Sequence, residues 1–466
     1  FKMACPRIVI AGAESGVGKT SLTLAAVAAL RRRGLKVQAF KVGPDFLDPT
    51  HLTVASGRPC YNLDGWMTGK DYVLRLFART TADADFAVVE GVMGLFDGAD
   101  ADSIKGSTAE IARWLKAPVV LVVNVHGMAR SVAALVAGYS RFERGVNICG
   151  VIANHCGSER HAVGIRDALK ARNLPPLLGA IPRGGLPVLE SRHLGLVTAD
   201  GETLSESVIG ELAAAFARHV KVEEFLRSAG REDVRAAAAK ERGLHAAPRG
   251  VRLGIARDGA FHFYYRDLFD ELERRGGILH FFSPLADRRL PEGIQGLILG
   301  GGYPEEYAQE LAANEEMLSE VREFVRSGRP VYAECGGLMY LSRGIEGTDG
   351  RRYPLAGLLP VWTRMLGRLK RLGYVEATLK GDSLWGRKGE TLKGHEFHYS
   401  EIVPVGGRAP EGAKWRPLYT LRNRMDGRPA NEGFRLGRTE ASYVHLHLAS
   451  RPSAVDRFLS CCGERP

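Results

Sequence analysis

The sequence predicts an α/β protein built from two doubly wound domains, and three observations carry that expectation. Short apolar runs such as 7–12 and 119–123 are strand-sized and alternate with helix-forming segments, the order of a mostly parallel sheet covered on both faces. Twice, at 13–20 and at 335–337, a glycine-rich turn follows such a run and opens a helix. At 466 residues the chain is too long for one core, and a stretch rich in Ala, Glu, Arg and Lys, with alanines at 236–239, divides it. The expected division is 1–204, a helical linker at 205–250, and 251–466. No internal repeat suggests a solenoid.

The composition, 45% hydrophobic and 25% charged, is that of an ordinary globular protein, and no apolar run is long enough to span a membrane. The first residues run into a strand without a signal-peptide pattern, so a cytoplasmic protein is expected. Seven cysteines without a C-x-x-C pair argue against a disulfide framework and a structural zinc site. Cys149, near His155 and Cys156, is read as core packing rather than a metal ligand. A net charge of +11 invites a nucleic-acid reading, but the basic residues are dispersed. ATP and a small polyanionic substrate would use the same excess.

Taken in order, the strand at 7–12 leads into Ala13-Glu14-Ser15-Gly16-Val17-Gly18-Lys19-Thr20 and then an apolar-periodic segment from Ser21. Strand, glycine loop and helix in this order make a phosphate-binding loop, with Ala13 where the motif's first glycine belongs. Gly16, Gly18, Lys19, Thr20 and Ser21 are the ATP-binding candidates: backbone amides cradle phosphates, Lys19 neutralises the β/γ oxygens, and Thr20 reaches Mg²⁺. The next strand, at 36–40, ends in Lys41-Val42-Gly43-Pro44-Asp45-Phe46-Leu47-Asp48-Pro49. Two aspartates thus sit on a loop at a strand's carboxyl end, where open α/β sheets bind ligands. A third strand, at 86–90, ends in the carboxylate of Glu90 and is followed by Gly91-Val92-Met93-Gly94-Leu95-Phe96-Asp97-Gly98. That arrangement suits Mg²⁺. Strands at 119–123 and 148–153 end at Asn124 and Asn154.

The second domain opens at 251. Ala333-Glu334-Cys335-Gly336-Gly337 reads as a nucleophile on a sharp strand-to-helix turn, where free N–H groups and the helix dipole favour thiolate. A thiolate nucleophile needs a base and a place for an oxyanion. His445 or His447, at period two on one expected strand, supplies the base. Gly301 and Gly302, in Gly300-Gly301-Gly302-Tyr303-Pro304-Glu305, and Gly336, just after the cysteine, supply amides for the oxyanion.

These last motifs, with Ser442-Tyr443-Val444-His445, resemble the triad-type glutamine amidotransferase domain, in the branch serving corrinoid biosynthesis. The N-terminal half resembles the dethiobiotin-synthetase-like P-loop enzymes. The 41–49 and 90–98 stretches, with Lys370-Arg371-Leu372-Gly373-Tyr374 and Gly394-His395-Glu396-Phe397-His398-Tyr399-Ser400, are similar to the cobyrinic acid a,c-diamide synthases over nearly the whole chain. The resemblance implies a P-loop NTPase-like sheet followed by a class I glutamine amidotransferase-like, flavodoxin-like domain. It implies Cys335 as nucleophile, His445 as base, Asp45 and Glu90 as metal-binding residues, and Asp48 and Asp97 in substrate orientation or proton transfer. In the wider family a glutamate stands two residues after the histidine. Here that position is His447, which is on hand to orient His445.

The implied partners are ATP, glutamine and a polycarboxylate tetrapyrrole, with Mg²⁺ and without nucleic acid or membrane. A carboxylate does not accept ammonia at neutral pH because oxide is a poor leaving group, so ATP first makes it an acyl phosphate. Cobalt corrin, metal-free hydrogenobyrinic acid and nickel sirohydrochlorin all fit these motifs. The rival reading from another class is a ParA-like ATP switch with a relic second domain. Such a switch has no use for a cysteine nucleophile.

Overall fold

The computed structural model of the chain describes residues 5–187, 189, 191–192, 195–196, 204–233, 248–404, 415–423 and 427–464. They fall into two compact units, 1–239 and 240–466. The alanine run at 236–239, with the rest of 234–247, lies outside the described residues.

The main sheet of the first unit has seven strands: β1 (Arg7–Gly12), β2 (Val37–Val42), β3 (Tyr61–Leu63), β4 (Phe86–Gly94), β5 (Val119–Asn124), β6 (Ile148–Cys156) and β7 (Leu177–Pro182). All pair in parallel, in the order β3-β2-β4-β1-β5-β6-β7. Along β1, Ile8 and Ile10 enter one core while Val9 and Ala11 enter the other. Both faces are therefore covered, which is why the strands read as unbroken apolar runs. The chain moves to one side of β1 for β2 and returns to its other side for β5. This makes the carboxyl edge around β1 a switch point, where such sheets bind ligands.

Helix α1 (Lys19–Arg32) lies on one face with Leu22, Leu24, Val27 and Leu30 buried. Two helices of the stretch expected as a linker, Glu206–His219 and Val222–Arg227, pack into that same core. Ile209, Leu212 and Phe216 project inward at helical spacing, and Phe216 meets Phe225 edge-on at 5.5 Å. The chain then pairs with the start of β1, since Arg7 and Gly230 exchange backbone hydrogen bonds of 3.1 and 3.0 Å.

In the second unit a six-stranded sheet runs Gly277–Phe282, Val251–Ala256, Gly296–Leu299, Val331–Glu334, Thr439–Ser442, Phe434–Leu436. Its first five strands are parallel and the last is antiparallel. A five-stranded antiparallel sheet contains Arg371–Leu379, Thr391–His398 and His445–Leu446. The expected single strand at 441–448 is thus divided. Thr439–Ser442 belongs to the parallel sheet, His445–Leu446 to the antiparallel one, and a short 3₁₀ turn, Leu448–Ser450, follows His447. No helix among the described residues is long and apolar enough to cross a membrane.

Phe216→Ala is expected to destabilise the first unit by about 3–5 kcal/mol, because a fully buried ring is lost from a core that cannot collapse onto it. Urea unfolding measures this as a lower midpoint of the transition belonging to that unit.

Candidate active sites

The phosphate-binding loop connects β1 to α1. Gly16 and Gly18 both take positive φ, 79° and 88°. At Gly18 a side chain is also excluded by space, because a Cβ would lie 2.5 Å from the Asn154 amide nitrogen. That same nitrogen donates to the Val17 carbonyl at 2.7 Å, so the tip of β6 fixes the loop. Tyr139 donates to the Ala13 carbonyl from the other side. Lys19 Nζ donates to the Glu14 carbonyl at 3.1 Å, while Thr20 and Ser21, half-buried, open the helix.

Beneath the loop lies a buried cluster of charges. Strand register places Lys41 directly beside Glu90, so the two side chains share one face of the sheet. Lys41 Nζ is 2.8 Å from Glu90 Oε1 and 2.6 Å from Asp48 Oδ2. Thr20 Oγ1 donates to Glu90 Oε1 at 2.7 Å and to Asp48 Oδ2 at 3.4 Å. Glu90 is 0% exposed, and its Oε2 has no hydrogen-bond partner among the described residues. Burial pushes the Glu90 carboxyl up to about 7 against the pull of Lys41. Burial is the largest influence on Asp48 and acts to raise it, but the charge and hydrogen bond of Lys41, with Glu90 and His51, together hold Asp48 below the usual carboxylate range. Burial would strip the proton from Lys41, yet Glu90 and Asp48 together raise it well above its ordinary value. Burial, then Lys41, lower Lys19.

The two remaining acidic candidates are engaged in turns. Asp45 Oδ1 accepts from the amides of Leu47 and Asp48 at 2.8 and 3.0 Å, and burial with the nearby Asp48 pushes it up to about 6. Asp97 Oδ2 accepts from the Gly94 amide at 2.9 Å, closing the turn after β4. Thr20, Asp48 and Glu90 are therefore gathered together with Lys41, a residue that motif reading did not single out. Only the register of β2 against β4 reveals it.

In the second unit Cys335 sits between Val331–Glu334 and the helix Gly336–Leu341 with φ 45° and ψ −96°, a strained elbow for a non-glycine residue. Its amide donates to the Ser442 carbonyl at 2.7 Å, which ties the elbow to the neighbouring strand. Cys335 is buried, 5% exposed, and its sulfur lies 3.9 Å from the Phe397 carbonyl. Burial, then the Glu305 and Glu334 carboxylates, push the thiol up, and the Gly336 amide only partly opposes them. The helix start does not favour thiolate here. Desolvation and two nearby carboxylates disfavour the charged sulfur more than the Gly336 amide favours it.

The glycine loop at 300–302 borders both the elbow and His445. A Cβ on Gly336 would approach the Gly302 amide nitrogen to 3.2 Å, and one on Gly301 would strike the His445 ring at 2.4 Å. His445, fully buried, stacks on His395 at 5.1 Å. Its Nδ1 is 3.6 Å from Glu334 Oε2. His447 is also buried, with Nε2 3.6 Å from Asp267 Oδ2 and its ring stacked on Tyr265 at 4.5 Å. The carboxylate facing His445 thus belongs to the residue before the nucleophile. Among the described residues no disulfide forms, and Cys149 packs against the core with its thiol donating to the Val119 carbonyl.

A phosphate-binding loop over buried acids in one unit, and a cysteine elbow with a histidine and a glycine loop in the next, define the class of glutamine-dependent ligases. Residues 8–194 match the CobQ/CobB/MinD/ParA nucleotide binding domain, and residues 252–453 match the CobB/CobQ-like glutamine amidotransferase domain. A cobyrinate a,c-diamide synthase of Syntrophotalea carbinolica is 54% identical over 464 residues, 99% of each chain. Enzymes of the same name from Leptospira interrogans and Archaeoglobus fulgidus are 40% and 38% identical, covering 98% of this chain and 98% and 97% of theirs. The chain belongs to the cobyrinate a,c-diamide synthase family.

Lys41→Met removes the one ammonium held between Asp48 and Glu90. It is expected to destabilise the first unit by about 3–5 kcal/mol in urea unfolding, the cost of leaving buried carboxylates uncompensated. Cys335 should react with iodoacetamide at least about tenfold more slowly than free cysteine near neutral pH, and faster as pH rises, because its thiolate fraction is suppressed. Peptide mass spectrometry at Cys335 across a pH series checks this.

Proposed function

We propose that this chain converts the a- and c-acetate carboxylates of cobyrinate to amides, using ATP and glutamine-derived ammonia. The observation that carries the reading is the presence, on one chain, of the Lys19, Thr20 and Glu90 cluster and the Cys335 elbow, across 464 residues aligned to a relative named for that reaction.

In the synthetase half, a carboxylate oxygen attacks the γ-phosphorus of ATP and the bond to the β,γ-bridging oxygen breaks, releasing ADP and leaving an acyl phosphate. Ammonia attacks the acyl carbon, phosphate departs, and the nitrogen loses a proton. Gly16, Gly18 and Ser21 hold the phosphates and Lys19 neutralises them. Mg²⁺ is the proposed metal, and when bound it offsets phosphate charge. Thr20 and Glu90 would hold it, a reading supported by the unpartnered buried Glu90 Oε2. Asp48, beside both, is placed ahead of Asp45, whose Oδ1 already serves its own loop. Lys41 keeps Asp48 ionised, and Asp97 is assigned to orienting substrate or moving its proton.

In the glutaminase half, Cys335 Sγ passes its proton to His445 and attacks the side-chain carbonyl of glutamine. The amides of Gly301, Gly302 and Gly336 receive the oxyanion. The C–N bond breaks, His445 returns the proton to nitrogen, and ammonia leaves. Water then cleaves the thioester to glutamate. Two units are proposed for these tasks, with the amidotransferase domain from residue 251 onward. Cysteines without a disulfide among the described residues suit the reducing cytoplasm, the proposed compartment.

Mass spectrometry of products formed from cobyrinate, hydrogenobyrinate or nickel sirohydrochlorin with ATP, Mg²⁺ and glutamine tests the substrate. A diamide from cobyrinate is expected; none from any of the three would sink the reading, and ATP-coupled, salt-sensitive DNA binding in its place would favour a switch. Cys335→Ser is expected to abolish glutamine-dependent amidation and spare the ammonia-dependent reaction. Survival of glutamine use would remove Cys335 as the nucleophile.

A further inference from the structure

We propose that Glu334 is the positioning residue of the glutaminase site, orienting His445 and stabilising the imidazolium that forms when Cys335 gives up its proton. The proposal rests on the reading of Cys335 and His445 as nucleophile and base.

Its basis is geometric. Glu334 Oε2 stands 3.6 Å from His445 Nδ1. Its other oxygen is fixed by the Tyr332 hydroxyl at 2.6 Å and by the amide of Leu446, the residue after the histidine, at 3.0 Å. One carboxylate therefore grips the backbone just after the histidine, at the Leu446 amide, through Oε1 and faces the histidine ring through Oε2. At 3.6 Å the ring contact is an ion-pair separation rather than a hydrogen bond, and it acts on a ring that is completely buried. The ring cannot turn freely, because His395 stacks on it at 5.1 Å and Gly301 abuts it. His447, where a carboxylate would be sought, is directed instead to Asp267.

The chemistry gives this carboxylate two opposed effects. Acting on Cys335 directly, its negative charge favours the thiol and opposes catalysis. Acting through His445, it favours the protonated ring and draws the proton from sulfur. The proton moves from Sγ to the imidazole and stays there until the leaving nitrogen takes it; it is not passed on to the acid, as in a serine-protease triad. Glu334 therefore helps only where the histidine is present, and a purely structural role would not depend on that ring.

Kinetics of glutamine hydrolysis, with capture of Cys335 by a glutamine-like diazoketone, test the inference. Glu334→Gln is expected to lower kcat about 100-fold or more, with KM for glutamine within about threefold, as for an orienting acid replaced by its amide. In a His445→Ala background the same change should alter the capture rate by less than about threefold. Glutamine hydrolysis within about threefold of the parent, or an undiminished loss in the His445→Ala background, overturns the proposal. Should Glu334→Gln melt early, Glu334→Asp decides at equal fraction folded: at least about tenfold more activity than the amide is expected, and an equal loss overturns it. Loss of hydrolysis in Cys335→Ser and His445→Ala but not in Glu334→Gln sinks this inference alone. Retained hydrolysis in Cys335→Ser sinks the underlying reading instead.

Discussion

A parallel strand covered by helices on both faces buries whatever it carries, so a charge along it needs partners, and polar groups are least costly near its carboxyl end, where packing gives way to loops. That constraint governs both units. In the first, Gly12 ends β1 and Lys41 stands one residue before the end of β2, while Glu90 lies midway along β4, where it is paired with Lys41, because β4 runs on to Gly94 beyond the expected end at Glu90. In the second, Gly296–Leu299, Val331–Glu334 and Thr439–Ser442 are neighbours, and their ends bring together the glycine loop, the cysteine elbow and, three residues farther on, the histidine. Chemistry gathers there because polar groups are least costly where packing gives way to loops.

The same burial acts with opposite results at the two sites. Around Lys41 it is met by two carboxylates, so the ammonium stays charged and the cluster remains ionic in a dry setting. Around Cys335 it is met by further negative charge, so the sulfur stays neutral. One site keeps its charges, with Lys41 committed to Asp48 and Glu90 beneath the phosphate-binding loop that carries Lys19. The other rests in an uncharged form and needs its histidine to become reactive.

Much of the fold was legible in the sequence, because strands buried on both faces announce themselves as short apolar runs. β1 was read residue for residue, and β4, β5 and β6 began where the apolar pattern did. β3, only three residues long, and β7, ending at Pro182, carried too little pattern to detect. The helices at 206–219 and 222–227 lie in the stretch expected to be a helical linker, because its composition is helix-forming throughout, while their packing into the first core is marked by only a few residues such as Leu212, Phe216 and Phe225. At the sites, residue types at strand tips were visible, but their partners were not. Lys41 meets Glu90 through strand register, and Glu334 meets His445 across 111 positions of chain, and neither relation has a local signature.

The elbow at Cys335 keeps its backbone in a strained region, tied by the Ser442 carbonyl, and its sulfur sealed against the Phe397 carbonyl. Peroxides attack thiolates far more readily than thiols. A nucleophile that stays protonated until substrate chemistry calls on it is therefore spared oxidation to sulfenic and sulfinic acids. The enclosure that slows its reaction at rest also lengthens its working life.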